Sequence, residues 1–198
     1  MNNHDEVVPS GLGKKKIDFN TVTDDQAPLE STQETTLSEK QRRELDAFIE
    51  IFDERLATQL YSKSFEKRFT GLQSLATRLK NNEKNCAGDM TAVGRACLPV
   101  NTKLFKDKVQ KVYEANAAVF LFLLEKHDKS SEISFLIDKS IPLILPVTGD
   151  SNSKLRASAQ NFIVKMDRIT IQKGIVPQHV FVPFNYKKKM EMYFKSKK

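Results

Sequence analysis

Lys63, Lys67 and Arg68 crowd the start of one amphipathic stretch, Lys106, Lys108 and Lys111 the start of a second, and Lys154 and Arg156 the start of a third. Against these eight cations stand three acids, Glu66, Asp107 and Asp150. A set of this kind forms ion pairs and charge-assisted hydrogen bonds, which suits recognition of an acidic partner rather than bond-making. Cations at the start of a helix also oppose its macrodipole, so they are slightly disfavoured there unless a partner uses them. Phe65 follows the first cluster directly. An exposed aromatic at that point would anchor a binding surface; one turn before Phe69 and Leu72, it could equally belong to the core.

The residues of catalysis and metal binding are sparse. The three histidines fall at 4, 127 and 179, and Cys86 and Cys97 stand eleven residues apart, which matches no zinc spacing. Cys97 has apolar neighbours and reads as a buried thiol. Gly11-Leu12-Gly13-Lys14 is only a fragment of a phosphate loop, and no nucleophile–base set can be nominated. We therefore expect no enzyme, no cofactor and no metal. A net charge of +7 and a pI near 9.3 admit nucleic acid, an anionic membrane or an acidic protein face as partners. No membrane partner is expected, and nucleic acid ranks behind an acidic protein face, because no aromatic and basic stacking platform is recognisable. No run of 18 apolar residues exists to span a membrane, and MNNHDEVVPSG has neither the basic nor the apolar region of a signal peptide, so an intracellular protein is expected.

The cations lie at or just after three polar turns, Ser62-Lys63-Ser64, Lys106-Asp107-Lys108 and Asp150-Ser151-Asn152. From Ser62 to Lys106 is 44 residues, and from Lys106 to Asp150 is 44 again. A period of this size with two helices per unit is the pattern of HEAT and armadillo solenoids, which set equivalent turns in a row along one edge. The expected fold is all-α, a stack of about three helix pairs. Leu45, Phe48, Ile49, Phe52, Leu56 and Leu60 predict one helix over 38–60, capped by Thr36 or Ser38. Phe65, Phe69, Leu72, Leu75 and Leu79 predict its partner, and Asp89 caps the next helix, where Pro99 predicts a kink or break. Residues 109–127 are apolar nearly all round and predict a helix sandwiched on both sides. A helix after Ser130-Ser131, made irregular by Pro142 and Pro146, and a closing helix through Leu155, Phe162 and Ile169 complete the third pair. The expected organisation is a mobile polar arm at 1–37, a helical domain at 38–186 and a basic tail at 187–198.

Two stretches carry a more specific resemblance. Tyr61-Ser62-Lys63-Ser64-Phe65 before an amphipathic helix resembles the first turn of a TOG domain. Residues 140–156, from Ser140-Ile141-Pro142 to Lys154-Leu155-Arg156, followed by Ala157-Ser158-Ala159-Gln160-Asn161-Phe162-Ile163, resemble its third, in the form found in centrosomal proteins of the ciliary tip. The similarity runs from about Leu45 to Ile169. TOG domains are HEAT-repeat paddles that bind α/β-tubulin through their intra-repeat turns. The resemblance implies a non-catalytic partner of tubulin or the microtubule, and of other ciliary or centrosomal proteins, in the cytoskeleton at a cilium or flagellum, basal body or centrosome. It places Phe65 at the aromatic anchor position, usually Trp, and assigns Lys106 and Lys108 to the second turn and Lys154 and Arg156 to the third; Lys63, Lys67 and Arg68 join the candidate binding residues by their place in the basic row. The chain has no Trp, and its three repeats are half the six usual in the family. The alternative is a structural scaffold docked in an axonemal or centriolar assembly through helix faces and tails.

Overall fold

The computed structural model describes residues 36–81 and 89–175. The arm, the basic tail, most of the loop after Asn81 and Cys86 lie outside them. Among the described residues all regular structure is helical: α1 (Glu39–Glu44), α2 (Asp46–Phe52), α3 (Glu54–Tyr61), α4 (Phe65–Lys80), α5 (Met90–Leu104), α6 (Gln110–Lys126), α7 (Ser130–Ile144) and α8 (Ser153–Gln172), with a 3₁₀ turn over Leu145–Gly149 before α8. The helices form three units. In the first, α1 and α2 lead into α3, which packs on α4; α5 packs on α6 in the second; α7 and its 3₁₀ extension lead to α8 in the third. The second helices adjoin in the order α4, α6, α8, and the first helices in the order α2, α5, α7, as in a solenoid.

Local chemistry sets most of the boundaries. Ser38 and Gln41 form a reciprocal capping box at α1, with Ser38 Oγ accepting from the Gln41 amide at 3.3 Å and Gln41 Oε1 from the Ser38 amide at 2.9 Å. Ser64, Asp89 and Asn152 cap α4, α5 and α8 through their side-chain oxygens. The helix expected over 38–60 is instead three short helices, broken at Leu45 and Asp53. Asp53 adopts φ 119° and ψ 160°, and its side chain caps α3 by accepting from the Leu56 amide at 2.7 Å. Arg78, from α4, donates to the Phe52 carbonyl and pairs with Asp53 at 2.8 Å, so the interruption is held by tertiary contacts. Pro99 lies inside a continuous α5 and Pro142 inside α7, while Pro146 falls in the 3₁₀ turn.

Two apolar clusters flank α6. Val112, Val119 and Leu123 join the first with Phe48, Leu60, Leu72 and Leu75. Tyr113, Phe120 and Leu124 join the second with Phe105, Ile137, Leu155 and Phe162. Phe105 is fully buried, its ring 5.4 Å from both Phe120 and Phe162. The sandwiched helix read from the sequence is thus observed, and Cys97 is buried.

Candidate binding edge

Each pair of helices is closed by a short turn whose side chains cap its own backbone. Ser62 Oγ accepts from the Ser64 amide at 3.2 Å, Asp107 Oδ1 from the Val109 amide at 2.9 Å, and Asp150 Oδ1 from the Asn152 amide at 2.9 Å. Each bond reaches two residues ahead, the Asx or Ser/Thr turn that these residue types favour. Ser64 Oγ then caps α4 through the Lys67 amide and donates to Glu66 at 2.6 Å, a bond that holds the Glu66 carboxyl below the usual range.

Ion pairs join the turns in a row. Arg68 Nε donates to Asp107 Oδ2 at 2.7 Å, joining the first turn to the second. Lys108 Nζ donates to Asp150 Oδ2 at 2.8 Å, joining the second to the third. The Lys108 ammonium, with the Asn152 amide, holds the Asp150 carboxyl low. Arg68 Nη1 also donates to the carbonyls of Ser62 at 3.0 Å and Lys63 at 2.7 Å, and Arg156 Nη1 donates to the Asp150 carbonyl at 2.6 Å. The two arginines occupy the same place two repeats apart, and each ties down the backbone of its own turn.

The candidate residues therefore share one edge but divide by environment. Arg68, Lys108 and Arg156 are occupied in holding the turns. Lys63, Lys67, Lys106 and Lys154 are exposed, and no ion pair among the described residues engages them. Phe65 opens α4 with 42% of its surface exposed, one of two large apolar residues so exposed among those described. The edge thus presents an accessible ring between Lys63 and Lys67, with Lys106 and Lys154 on the following turns. Such an arrangement can seat an apolar side chain of a partner and surround it with charge contacts.

Lys103 belongs beside this set and was not singled out from the sequence. It sits one turn before Lys106 on α5, its Nζ 4.0 Å from the centre of the Tyr61 ring. Burial, then the neighbouring Arg68, lowers its affinity for a proton. The signal was its place one helical turn inside the second basic cluster. No group of three or more His, Cys, Asp or Glu side chains that could hold a metal ion occurs among the described residues.

Comparison with known proteins follows the same stretch of chain. The family model of the TOG domain of centrosomal protein CEP104 matches residues 42–197. The human Centrosomal protein of 104 kDa is 27% identical over 155 residues, covering 74% of this chain and 17% of the human protein. The rat protein is 28% identical over 142 residues, 69% of this chain and 15% of its own length. The solved TOG domain of human Cep104 superposes with a TM-score of 0.58 at 26% identity, over 67% of this chain and 53% of that one. A second solved CEP104 TOG domain gives a TM-score of 0.58 at 29% identity, over 65% of this chain and 53% of its own. The chain thus spans about half of the solved domains and about a sixth of the curated relatives.

Proposed function

The chain belongs to the CEP104 TOG-domain family, and from that premise we propose that it is a non-catalytic binding domain whose turn edge takes α/β-tubulin, free or in the microtubule wall. Its place would be the centrosome, basal body or cilium, in keeping with relatives named centrosomal proteins. The observation that carries the reading is the exposed Phe65 ring flanked by Lys63 and Lys67, which no ion pair among the described residues engages, on a turn fixed to its neighbour by Arg68–Asp107. An acidic partner face is drawn in by the cations, while the ring supplies contact that salt does not screen. Phenylalanine has no N–H to donate, so its contribution would rest on packing.

Co-sedimentation with microtubules and pulldown with free tubulin test the edge directly. The Phe65→Ala, Lys106→Glu double variant should lose roughly 30-fold or more in affinity, since truncating an anchor residue alone costs about 2 kcal/mol. Binding equal to wild type overturns the turn-edge reading.

One observation favours a second reading, a structural scaffold docked through helix faces: a groove lies between α6 and α8, on their helix faces rather than on the turns themselves. Removing residues 1–37 and 187–198 separates the two. A scaffold held by its tails loses attachment to its assembly, whereas a domain that binds by its turns keeps tubulin binding.

A further inference from the structure

The groove between α6 and α8 has its own chemistry. It encloses about 220 Å³ and is lined by Glu114, Ala117, Ala118, Leu121, Phe162 and Lys165, with Ser158 and Asn161 on the α8 side. The two helices run parallel, one repeat apart, so Glu114 lies beside Ser158 at one end and Leu121 beside Lys165 at the other. Ser158 Oγ donates to Glu114 Oε1 at 2.6 Å, and Gln110 Nε2 donates to the same oxygen at 2.8 Å. Both bonds hold the carboxylate at its end of the groove. At the other end Lys165 is exposed, and no ion pair among the described residues engages it. Between them Ala117 and Phe162 form a buried apolar floor, and the small Ala118 leaves the entrance open. At the corresponding positions of the α4–α6 junction, one repeat earlier, α4 carries Gln73 and Ser74 instead of two alanines.

We propose that this groove is a second docking surface, which takes an amphipathic helix of a partner protein bearing a basic residue, an apolar residue and an acidic residue along one stripe. Seven residues separate Glu114 from Leu121 and Ser158 from Lys165, about 10.5 Å of helix. A helix lying along the groove spans that length with residues i and i+7 and points residue i+3 or i+4 at the floor between them. The base pairs with Glu114, the acid with Lys165, and a leucine or methionine fills the space over Phe162. The apolar contact supplies most of the affinity and the two rim charges set which helix is accepted, because exposed pairs are individually weak. The groove shares no lining residue with the candidate turn edge, and its Glu114–Ser158 end lies about one helical turn inside that edge.

The test uses the full chain and three labelled helical peptides on an alanine-rich host: Arg–Leu–Glu at i, i+3 and i+7, the same with Leu→Ala, and Glu–Leu–Glu. Fluorescence anisotropy should show the first binding at least about tenfold tighter than the alanine form, the scale set by burying one leucine. It should exceed the third by roughly two- to fivefold, the scale of an exposed ion pair. Glu114→Lys should reverse that second preference. Ala118→Trp, an exposed substitution that fills the entrance, should abolish peptide binding while microtubule co-sedimentation stays unchanged. Equal binding of the leucine and alanine peptides, or peptide binding that survives Ala118→Trp, overturns the groove. Loss of tubulin binding in Phe65→Ala, Lys106→Glu with peptide binding intact shows the two surfaces to be independent.

Discussion

Individual residues divide the edge into side chains that hold it and side chains left to bind. Arg68 and Asp107 have side-chain exposures of 14% and 7%, so each is nearly buried against the other, and removing one leaves an uncompensated charge. Arg68→Ala should therefore cost about 3–5 kcal/mol in urea unfolding, while Lys67→Ala, one residue away and exposed, should change stability by no more than about 0.5 kcal/mol. On the proposed tubulin-binding edge both should weaken that binding, the first by loosening the turn and the second by removing a cation from the exposed set. The 44-residue interval made the row of turns legible in the sequence. It did not reveal which cations are occupied within the molecule, because those ion pairs join residues 39 and 42 apart on adjacent repeats. At the C-terminal end of α6, His127 is buried, its Nε2 without a hydrogen-bond partner among the described residues, and it lies against Gly94, where a Cβ would come within 2.3 Å of that nitrogen. Gly94→Ala should destabilise by about 1–3 kcal/mol despite the gain in helix propensity. Burial holds the imidazole below its ordinary value of 6.5, although Glu132 nearby works the other way. The unfolded chain thus takes up this proton first, so stability falls as pH drops below 6.5 and is unaffected by His127 above it. His127→Asn should flatten the melting temperature between pH 6.5 and 5. The carboxylates held low, Glu66, Asp89, Glu132 and Asp150, give up their stabilisation only below their ordinary values of 3.8–4.5, a separate window.

Among the elements, the helices whose apolar residues recur at three and four were legible, and Asp89 was legible as a cap, whereas Ser64 and Asn152, read only as members of polar turns, prove to cap α4 and α8. The first helix was not so legible. Its apolar stripe runs through Leu45, Phe48, Phe52, Leu56 and Leu60 without a gap, and what breaks it is a backbone turn at Asp53 stabilised by Arg78 from α4. Spacing within the stripe carries no trace of that distant side chain. The other first helices are not interrupted: α5 and α7 run on through Pro99 and Pro142, although each proline deprives a carbonyl four residues earlier of its helical donor. Asp53 pays for its positive φ with strain, offset by the cap to Leu56 and the ion pair with Arg78. Asp53→Ala keeps the strain and loses both offsets, whereas Asp53→Gly loses the offsets and the strain together. Chemical denaturation should therefore place the glycine variant about 1–2 kcal/mol above the alanine variant. An alanine variant as stable as the glycine one would mean that the turn at Asp53 carries no strain.

At the scale of the whole stack, α6 decides how the units share stability. One of its faces, with Val112, Val119 and Leu123, completes the core around α3 and α4, and the other, with Tyr113, Phe120 and Leu124, completes the core around α7 and α8. In a linear array each unit is stabilised by itself and by its neighbours, so damage on one face of the central helix should spread in one direction first. Phe120→Ala removes a fully buried ring 5.4 Å from Phe105 and 6.0 Å from Phe162, at a cost of about 3–5 kcal/mol. Hydrogen exchange should then quicken in α7 and α8 while α3 and α4 stay protected; Leu75→Ala, in the first core, should give the reverse order. The ladder Arg68–Asp107 and Lys108–Asp150 works against this separation, because it binds the third turn to the second and the second to the first. If both variants loosen all helices equally, the ladder and α6 make one cooperative body, and the binding edge is lost or kept as a whole. If they loosen opposite ends, Phe120→Ala should retain the Phe65 turn and forfeit Lys154, so that tubulin binding weakens without vanishing.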